Sequence, residues 1–179
     1  MTDKEYRDYA AISRSSLWKI KESPAKFKYY QDNPQQPTPA LVFGQALHKA
    51  VLEPETFDSE FIVSPVFDKR TKQGKTDYSN FLQNASGKTV IEQSDMEIIK
   101  AMSDKLKSDE NVRILLSGEH EKPYFWTDDV TGEQCKCRAD CVTELQGINY
   151  IIDLKTCENA ETDAFMRKAL DFGYHVQAA

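Results

Sequence analysis

Between residues 119 and 156 the chain alternates three β-rich runs with two turn signals, and this restricts the fold more than any other feature of the sequence. EHEKPYFWTDD reads as a strand, DVTGE as a turn, QCKCRADCVTEL as a second strand, QGIN as a second turn and YIIDLKT as a third strand. Parallel strands need a long crossover, so short turns between such runs imply an antiparallel meander. Side chains alternate along a strand with period 2. In the second run Lys136, Arg138 and Asp140 therefore share one face, and Cys135, Cys137, Ala139 and Cys141 share the other, apolar one. In the third run Asp153 and Lys155 point one way, Ile152 and Leu154 the other. A hairpin centred between Gly147 and Ile148 sets Asp153 opposite position 142, with Asp140 as its same-face diagonal neighbour.

Helical periodicity frames this meander. A helix is expected over 13–22 with Ser13 as N-cap, and a second one from Ser23-Pro24, an N-cap followed by proline at the first helical position. QDNPQQPTP at 31–39 reads as a loop. PALVFGQALHKAVL at 39–52 is a clear helix with Phe43, Ala46, Leu47, Ala50 and Val51 on its apolar stripe. Gly44 and His48 lie one turn apart on the flank of that stripe. Over 57–90 the expectations are one short strand at Glu60–Val63 and a basic, mobile loop around 68–76. Ser94 and Glu97 read as a capping box for a helix carrying Met96, Ile99, Met102 and Leu106. Thr162 or Asp163 should cap a final helix, AFMRKALDFGYHVQAA. The order of elements predicts an α/β (α+β) fold, with a central mixed sheet containing the antiparallel meander and flanking helices.

A length of 179 residues fits one domain, 1–179. The net charge of −6 argues against a protein that coats nucleic acid by bulk charge. Local basic stretches remain, such as DKRTKQGK at 68–75. The polar N-terminus is unlike a secretory signal, and no apolar run approaches the roughly 20 residues of a membrane helix. The expected location is cytoplasmic, with no membrane partner. The spacing of Cys135, Cys137, Cys141 and Cys157 is not that of a zinc knuckle, and the first three, on one strand face, read as small hydrophobes on the buried side of the sheet. A zinc-binding domain is a weaker alternative.

The chemistry lies in the second and third runs. Two carboxylates brought close repel unless a cation lies between them, and hard oxygen ligands suit Mg²⁺ or Mn²⁺. Asp140, Asp153 and the backbone carbonyl of Leu154 supply such oxygens. A cation there can polarise a phosphoryl oxygen, Lys155 can position a water and stabilise developing charge, and Arg138 and Lys136 can hold neighbouring phosphates.

This combination resembles the PD-(D/E)xK nuclease superfamily, in particular its RecB-like branch and the phage exonucleases related to exodeoxyribonuclease VIII (RecE). ISRSSLWKIKESPAKFKYY resembles the N-terminal helix pair of that branch, Gly44-Gln-Ala-Leu-His48 its G-x-x-x-H helix, Asp140 its strand aspartate, and Asp153-Leu-Lys155-Thr156 its D-x-K-[ST] motif. Gln177 stands where a Q-x-x-x-Y helix motif would begin, and the tyrosine would fall beyond Ala179, as in a domain truncated at its C-terminal end. The resemblance implies a restriction-endonuclease-like core in which His48, Asp140, Asp153 and the Leu154 carbonyl bind Mg²⁺, with Mn²⁺ able to substitute, and Lys155 is catalytic. It implies that Gln177 contacts DNA or supports the site, and that Glu121 adds a further acidic group. The activity implied is 5′→3′ resection of double-stranded DNA in phage-type recombination, with a single-strand annealing protein as partner and a ring-shaped homo-oligomer. Some relatives hold an iron–sulfur cluster, but the cysteines here do not follow that pattern, so no cluster is expected. The alternatives are another RecB-like nuclease, as endonuclease or accessory subunit, and an inactive DNA- or protein-binding module of the same fold.

Overall fold

The computed structural model describes every residue of the chain except 2, 34 and 179. It begins with helices α1 (Asp3–Asp8), α2 (Arg14–Glu22), α3 (Pro24–Asp32) and α4 (Pro39–Leu52), then a short helix α5 (Phe57–Glu60) that leads into strand β1 (Phe61–Ser64). Helix α6 (Lys72–Asn84), strand β2 (Thr89–Glu92) and helices α7 (Gln93–Ser108) and α8 (Glu110–Leu115) follow. Strands β3 (Glu119–Thr127), β4 (Gln134–Leu145) and β5 (Ile148–Ile152) come next, and then helices α9 (Thr162–Asp171) and α10 (Tyr174–Ala178). The class is mixed α/β, with a meander β3-β4-β5 and a parallel pair β1-β2. Among the described residues no helix is long and apolar enough to cross a membrane. The chain divides into two compact units, one of Met1–Gln36, Glu121–Ala139 and Lys155–Ala179, the other of Pro37–His120 and Asp140–Leu154.

The second unit contains a core cluster built around α4. Thr38 Oγ1 accepts the Leu41 N–H at 3.3 Å and Pro39 opens the first turn, so α4 starts where its sequence dictates. Ala46, Leu47, Val51 and Leu52 of α4 are buried together with Phe57, Phe61, Ile91 and Ile99. Each large side chain in such a cluster contributes roughly 1.5–3 kcal/mol on burial. The ion pairs of Lys49 on α4 with Glu53 and Glu60 have half-exposed carboxylates and lie outside the apolar cluster, so apolar packing sets the position of α4. Leu154 is partly buried and packs against the same cluster, which anchors the middle of the D-x-K triplet.

Strands β4 and β5 pair antiparallel from Leu145↔Ile148 to Cys141↔Ile152. Their turn is Gln146 (φ 53°) and Gly147 (φ 78°), both left-handed, as a two-residue hairpin following the sheet twist requires. The hairpin is therefore centred one residue earlier than expected. The rung after Cys141↔Ile152 would set Asp153 directly opposite Asp140, not diagonal to it. The strand also ends at Ile152, so Asp153-Leu154-Lys155 lies just past β5 rather than inside it.

In the first unit Ile12 forms a parallel bridge with Cys135, through Ile12 N–H to Gln134 O and Lys136 N–H to Ile12 O, both at 2.8 Å. Lys136 is buried, and its ammonium donates to the carbonyls of Tyr6 (2.7 Å), Arg7 (3.2 Å) and Tyr9 (2.8 Å). The last carbonyls of a helix lack internal partners, so this ammonium caps α1. Burial pushes Lys136 below the ordinary lysine pKa, against the opposing pull of Asp8.

Other local expectations change for identifiable reasons. The basic stretch at 68–76 is not a mobile loop, because α6 begins at Lys72 with Thr71 Oγ1 accepting the Gly74 N–H at 3.0 Å. Phe67 packs against Tyr78 and Phe81, which are three residues apart on α6, with ring centroids 5.7 and 5.8 Å away. The sequence reading also lacked β2, a short strand whose pairing with β1 comes from distant residues. Helix α7 starts at Gln93 with Glu92 at its N-cap, so Ser94 lies inside the helix and caps nothing. Glu161, not Thr162 or Asp163, stands at the N-cap of the last helical region, which is broken at Gly173 (φ 66°) into α9 and α10.

Candidate metal centre

Three of the expected site residues meet in the unit of Pro37–His120 and Asp140–Leu154. Helix α4 buries Ala46 and Leu47 and leaves the next residue, His48, half-buried at the core edge. His48 Nδ1 lies 3.6 Å from Asp140 Oδ2. The Leu154 N–H donates to that same oxygen at 2.6 Å, a charge-assisted bond that fixes the carboxylate rotamer. Asp140 reaches this position because Ala139, Cys141 and Thr143 take the buried side of β4 and leave the alternate side to the aspartate. Asp153 is exposed immediately before Leu154, at the rung that follows the last β4–β5 pair.

His120 also belongs to this unit, and no motif pointed to its role. Its Nδ1 lies 2.5 Å from the Leu52 carbonyl and its Nε2 2.8 Å from the Leu116 carbonyl. The ring thus ties the end of α4 to the chain just past α8, which helps to hold the helix that carries His48.

The remaining candidates lie in the other unit. The Lys155 ammonium sits 5.3 Å from the centroid of the Tyr174 ring, a cation–π contact that steadies a half-buried amine. Gln177 is exposed on α10. Arg138 Nε donates to Glu121 Oε2 at 2.6 Å, and both side chains are largely buried. Glu121 has a left-handed backbone (φ 49°) inside a strand. For a residue with a Cβ this costs about 1–3 kcal/mol, so its surroundings must hold it there. Lys136 corrects the sequence reading. It is not on an open face beside Arg138, because its three carbonyl partners enclose it and leave it no reach toward a phosphate.

The cysteines also depart from expectation. Cys141 is fully buried, Cys135 is half-buried and Cys137 is exposed, so these three do not share one buried face; Cys157, past β5, is exposed. The alternation breaks where Lys136 turns inward to α1. Partial desolvation pushes the Cys137 thiol above its ordinary pKa, which makes it a poor thiolate ligand.

An imidazole nitrogen and a carboxylate oxygen 3.6 Å apart are too distant for a good hydrogen bond. They are close to the roughly 3 Å that separates adjacent ligands of a small divalent ion with bonds near 2.1 Å. The donor set therefore fits a divalent cation of the Mg²⁺–Mn²⁺ type, for which one imidazole among oxygens is acceptable.

The model of the DUF3799 family, a PDDEXK-like domain of unknown function, matches residues 13–179. The chain belongs to this family. Its fold is thus of the nuclease type, and the matched span of the PDDEXK-like domain includes His48, Glu121, Asp140 and the Asp153-Leu154-Lys155 triplet. No curated protein matches the chain.

Proposed function

We propose that this PDDEXK-like domain is a divalent-metal-dependent DNA exonuclease that hydrolyses phosphodiester bonds. The observation that carries the reading is the convergence of His48 Nδ1 and the Leu154 N–H on one carboxylate oxygen of Asp140, beside a D-x-K triplet. In this reading His48, Asp140, Asp153 and the Leu154 carbonyl hold Mg²⁺ or Mn²⁺. Such a cation, when bound, polarises a phosphoryl oxygen and acidifies water.

The chain's own groups supply the rest. The Leu154 side chain is fixed in the core, and its N–H keeps the Asp140 carboxylate turned toward His48. Lys155 follows in sequence, and its ammonium orients the attacking water and offsets the charge that builds on the phosphoryl oxygens. Gln177 contacts the DNA. By its likeness to RecE-type enzymes, the substrate is a duplex DNA end resected 5′→3′. A single-strand annealing protein takes up the product strand, and a homo-oligomeric ring provides processivity.

The test is incubation with linear and with covalently closed plasmid in Mg²⁺ and in EDTA. Linear DNA should be degraded and closed circles spared, and both EDTA and Asp153→Ala should stop the reaction. Nicking or linearisation of circles would make it an endonuclease. Calorimetry that finds no Mn²⁺ binding, with linear DNA left intact, would leave a module of this fold without the chemistry.

A further inference from the structure

The helix pair α2–α3 takes no part in the chemistry above, yet its charge is opposite to that of the chain as a whole. Residues 13–33 hold five Lys/Arg against two Asp/Glu, in a protein of net charge −6. The pair lies wholly within the unit of Met1–Gln36, Glu121–Ala139 and Lys155–Ala179. Ser23 closes α2 and opens α3. Its backbone N–H donates to the Lys19 carbonyl, and its hydroxyl accepts the Lys26 N–H at 3.4 Å. With Pro24 in the first turn of α3, the junction has a defined geometry and a defined set of displayed side chains.

Both acids of the pair are already engaged. Glu22 binds Lys26 at 2.6 Å, and Asp32 binds Lys28 at 2.9 Å. The other three cations lie against aromatic rings instead. The Lys19 ammonium is 5.4 Å from the centroid of Tyr30 on α3. The Lys21 ammonium and the Arg14 guanidinium carbon are 4.4 and 5.2 Å from that of Trp18 on α2. Arg14 Nε and Nη2 are buried without a hydrogen-bond partner among the described residues. An aromatic face attracts a cation but does not neutralise it. The pair therefore keeps positive charge that neither of its own carboxylates offsets.

Residues two apart on a helix lie on nearly opposite sides. Lys19 accordingly reaches across to α3, while Lys21 stays against the Trp18 ring of α2. Tyr29 is 57% exposed and meets Tyr30 edge-on, with ring centroids 5.8 Å apart. Lys19, Tyr30 and Tyr29 thus form one run of cation, ring and ring. Cations that meet phosphates beside rings that take the flat side of a base are the two parts of a surface for unpaired nucleic acid. A duplex keeps its bases stacked on one another and offers Tyr29 nothing to stack on. An acidic protein would use the cations and leave the exposed ring without a role.

We infer that the face formed by Lys19, Tyr30 and Tyr29 binds single-stranded DNA, with the Tyr29 ring stacked on a base and the Lys19 ammonium on a phosphate. The choice of DNA rests on the exonuclease reading above. Digestion of one strand of a duplex leaves the other unpaired, and this face holds it.

The experiment is fluorescence-anisotropy titration of the full chain with a labelled oligothymidylate of about 15 nucleotides, in EDTA and over a range of salt. Thermal melts establish that each variant folds. Tyr29→Ala should weaken binding about tenfold, and Tyr29→Phe should keep it, since the flat ring is what stacks. Lys19→Ala should weaken binding and lower the salt slope by about 0.7, the single-strand value for one phosphate. Lys21→Ala, on the far side of α2, should leave both close to wild type. Binding of a blunt duplex should not respond to Tyr29→Ala. Equal losses from Lys19→Ala and Lys21→Ala, with none from Tyr29→Ala, would reduce the effect to general charge attraction and overturn the inference. Polyglutamate that competes as well as unlabelled oligothymidylate would mark a docking surface for an acidic protein and overturn it too. If the wild-type chain degrades linear DNA but Tyr29→Ala binds oligothymidylate normally, only this inference falls. If binding depends on Tyr29 in a chain that neither binds Mn²⁺ nor cleaves, the nuclease reading falls and the surface stands.

Discussion

The Leu154 N–H donates to Asp140 Oδ2 at 2.6 Å, joining the residue inside the D-x-K triplet to the strand aspartate fourteen residues earlier. The bond forms where the β4–β5 ladder stops. After Ile152 the chain bonds to a side chain of β4 instead of continuing the backbone ladder. The aspartate thus has two duties, and substitutions can separate them. Asp140→Asn retains an acceptor for Leu154 N–H and should reduce stability by about 1 kcal/mol, while Asp140→Ala leaves that N–H unpaired and should cost about 1–3 kcal/mol. Both should weaken Mn²⁺ binding strongly. Chemical denaturation and calorimetry on the same samples give the two readouts, and equal stability losses for Asn and Ala would show that the bond contributes little.

His48 and Leu47 are adjacent on α4, but only one of them is core. Leu47 is 2% exposed, so Leu47→Ala should cost roughly 2–5 kcal/mol. His48→Ala, at the edge of the core, should cost under about 1 kcal/mol and yet lower metal affinity. A large fall in melting temperature with unchanged Mn²⁺ affinity would make His48 a packing residue.

Lys155→Ala should leave metal binding close to wild type and reduce the cleavage rate about a hundredfold or more, since an ammonium that acts on developing charge matters in the transition state. Tyr174→Leu, which removes the ring 5.3 Å from that ammonium, should give a smaller loss of the same kind. A parallel loss of metal binding in Lys155→Ala would contradict the assigned role. Single-turnover cleavage with saturating Mg²⁺ separates the two.

Gly173 joins α9 to α10 at φ 66°, and a Cβ built on it would lie 2.3 Å from the Trp18 ring. Gly173→Ala should therefore combine left-handed strain of about 1–2 kcal/mol with overpacking of about 1–3 kcal/mol. The expected result is a lower melting temperature together with a changed Trp fluorescence spectrum. An unshifted spectrum would mean that the close approach to Trp18 does not exist in solution.

Part of the local geometry around Asp140 and His48 was legible before any fold was known. Strand alternation kept Ala139 and Cys141 on one side and Asp140 on the other, and a single apolar stripe set His48 at the edge of α4. What failed was local and has a physical cause. The Gln146-Gly147 turn placed the hairpin one residue earlier than composition suggested, because the choice between neighbouring centres depends on which residues adopt positive φ. Lys136 was misread because a lysine in an alternating pattern looks solvent-facing. Only the arrival of α1, whose terminal carbonyls need a donor, buries it.

The sequence alone determined the class of the fold and the kinds of groups available, since side-chain period, turn chemistry and helix caps act over a few residues. Tertiary structure decided which of those groups meet. Whether Asp140 faces His48, Arg138 faces Glu121 or Lys136 faces a helix end depends on contacts between residues far apart in the chain. Those contacts are set by apolar burial and by the need of each buried polar atom for a partner, neither of which is encoded at any single position.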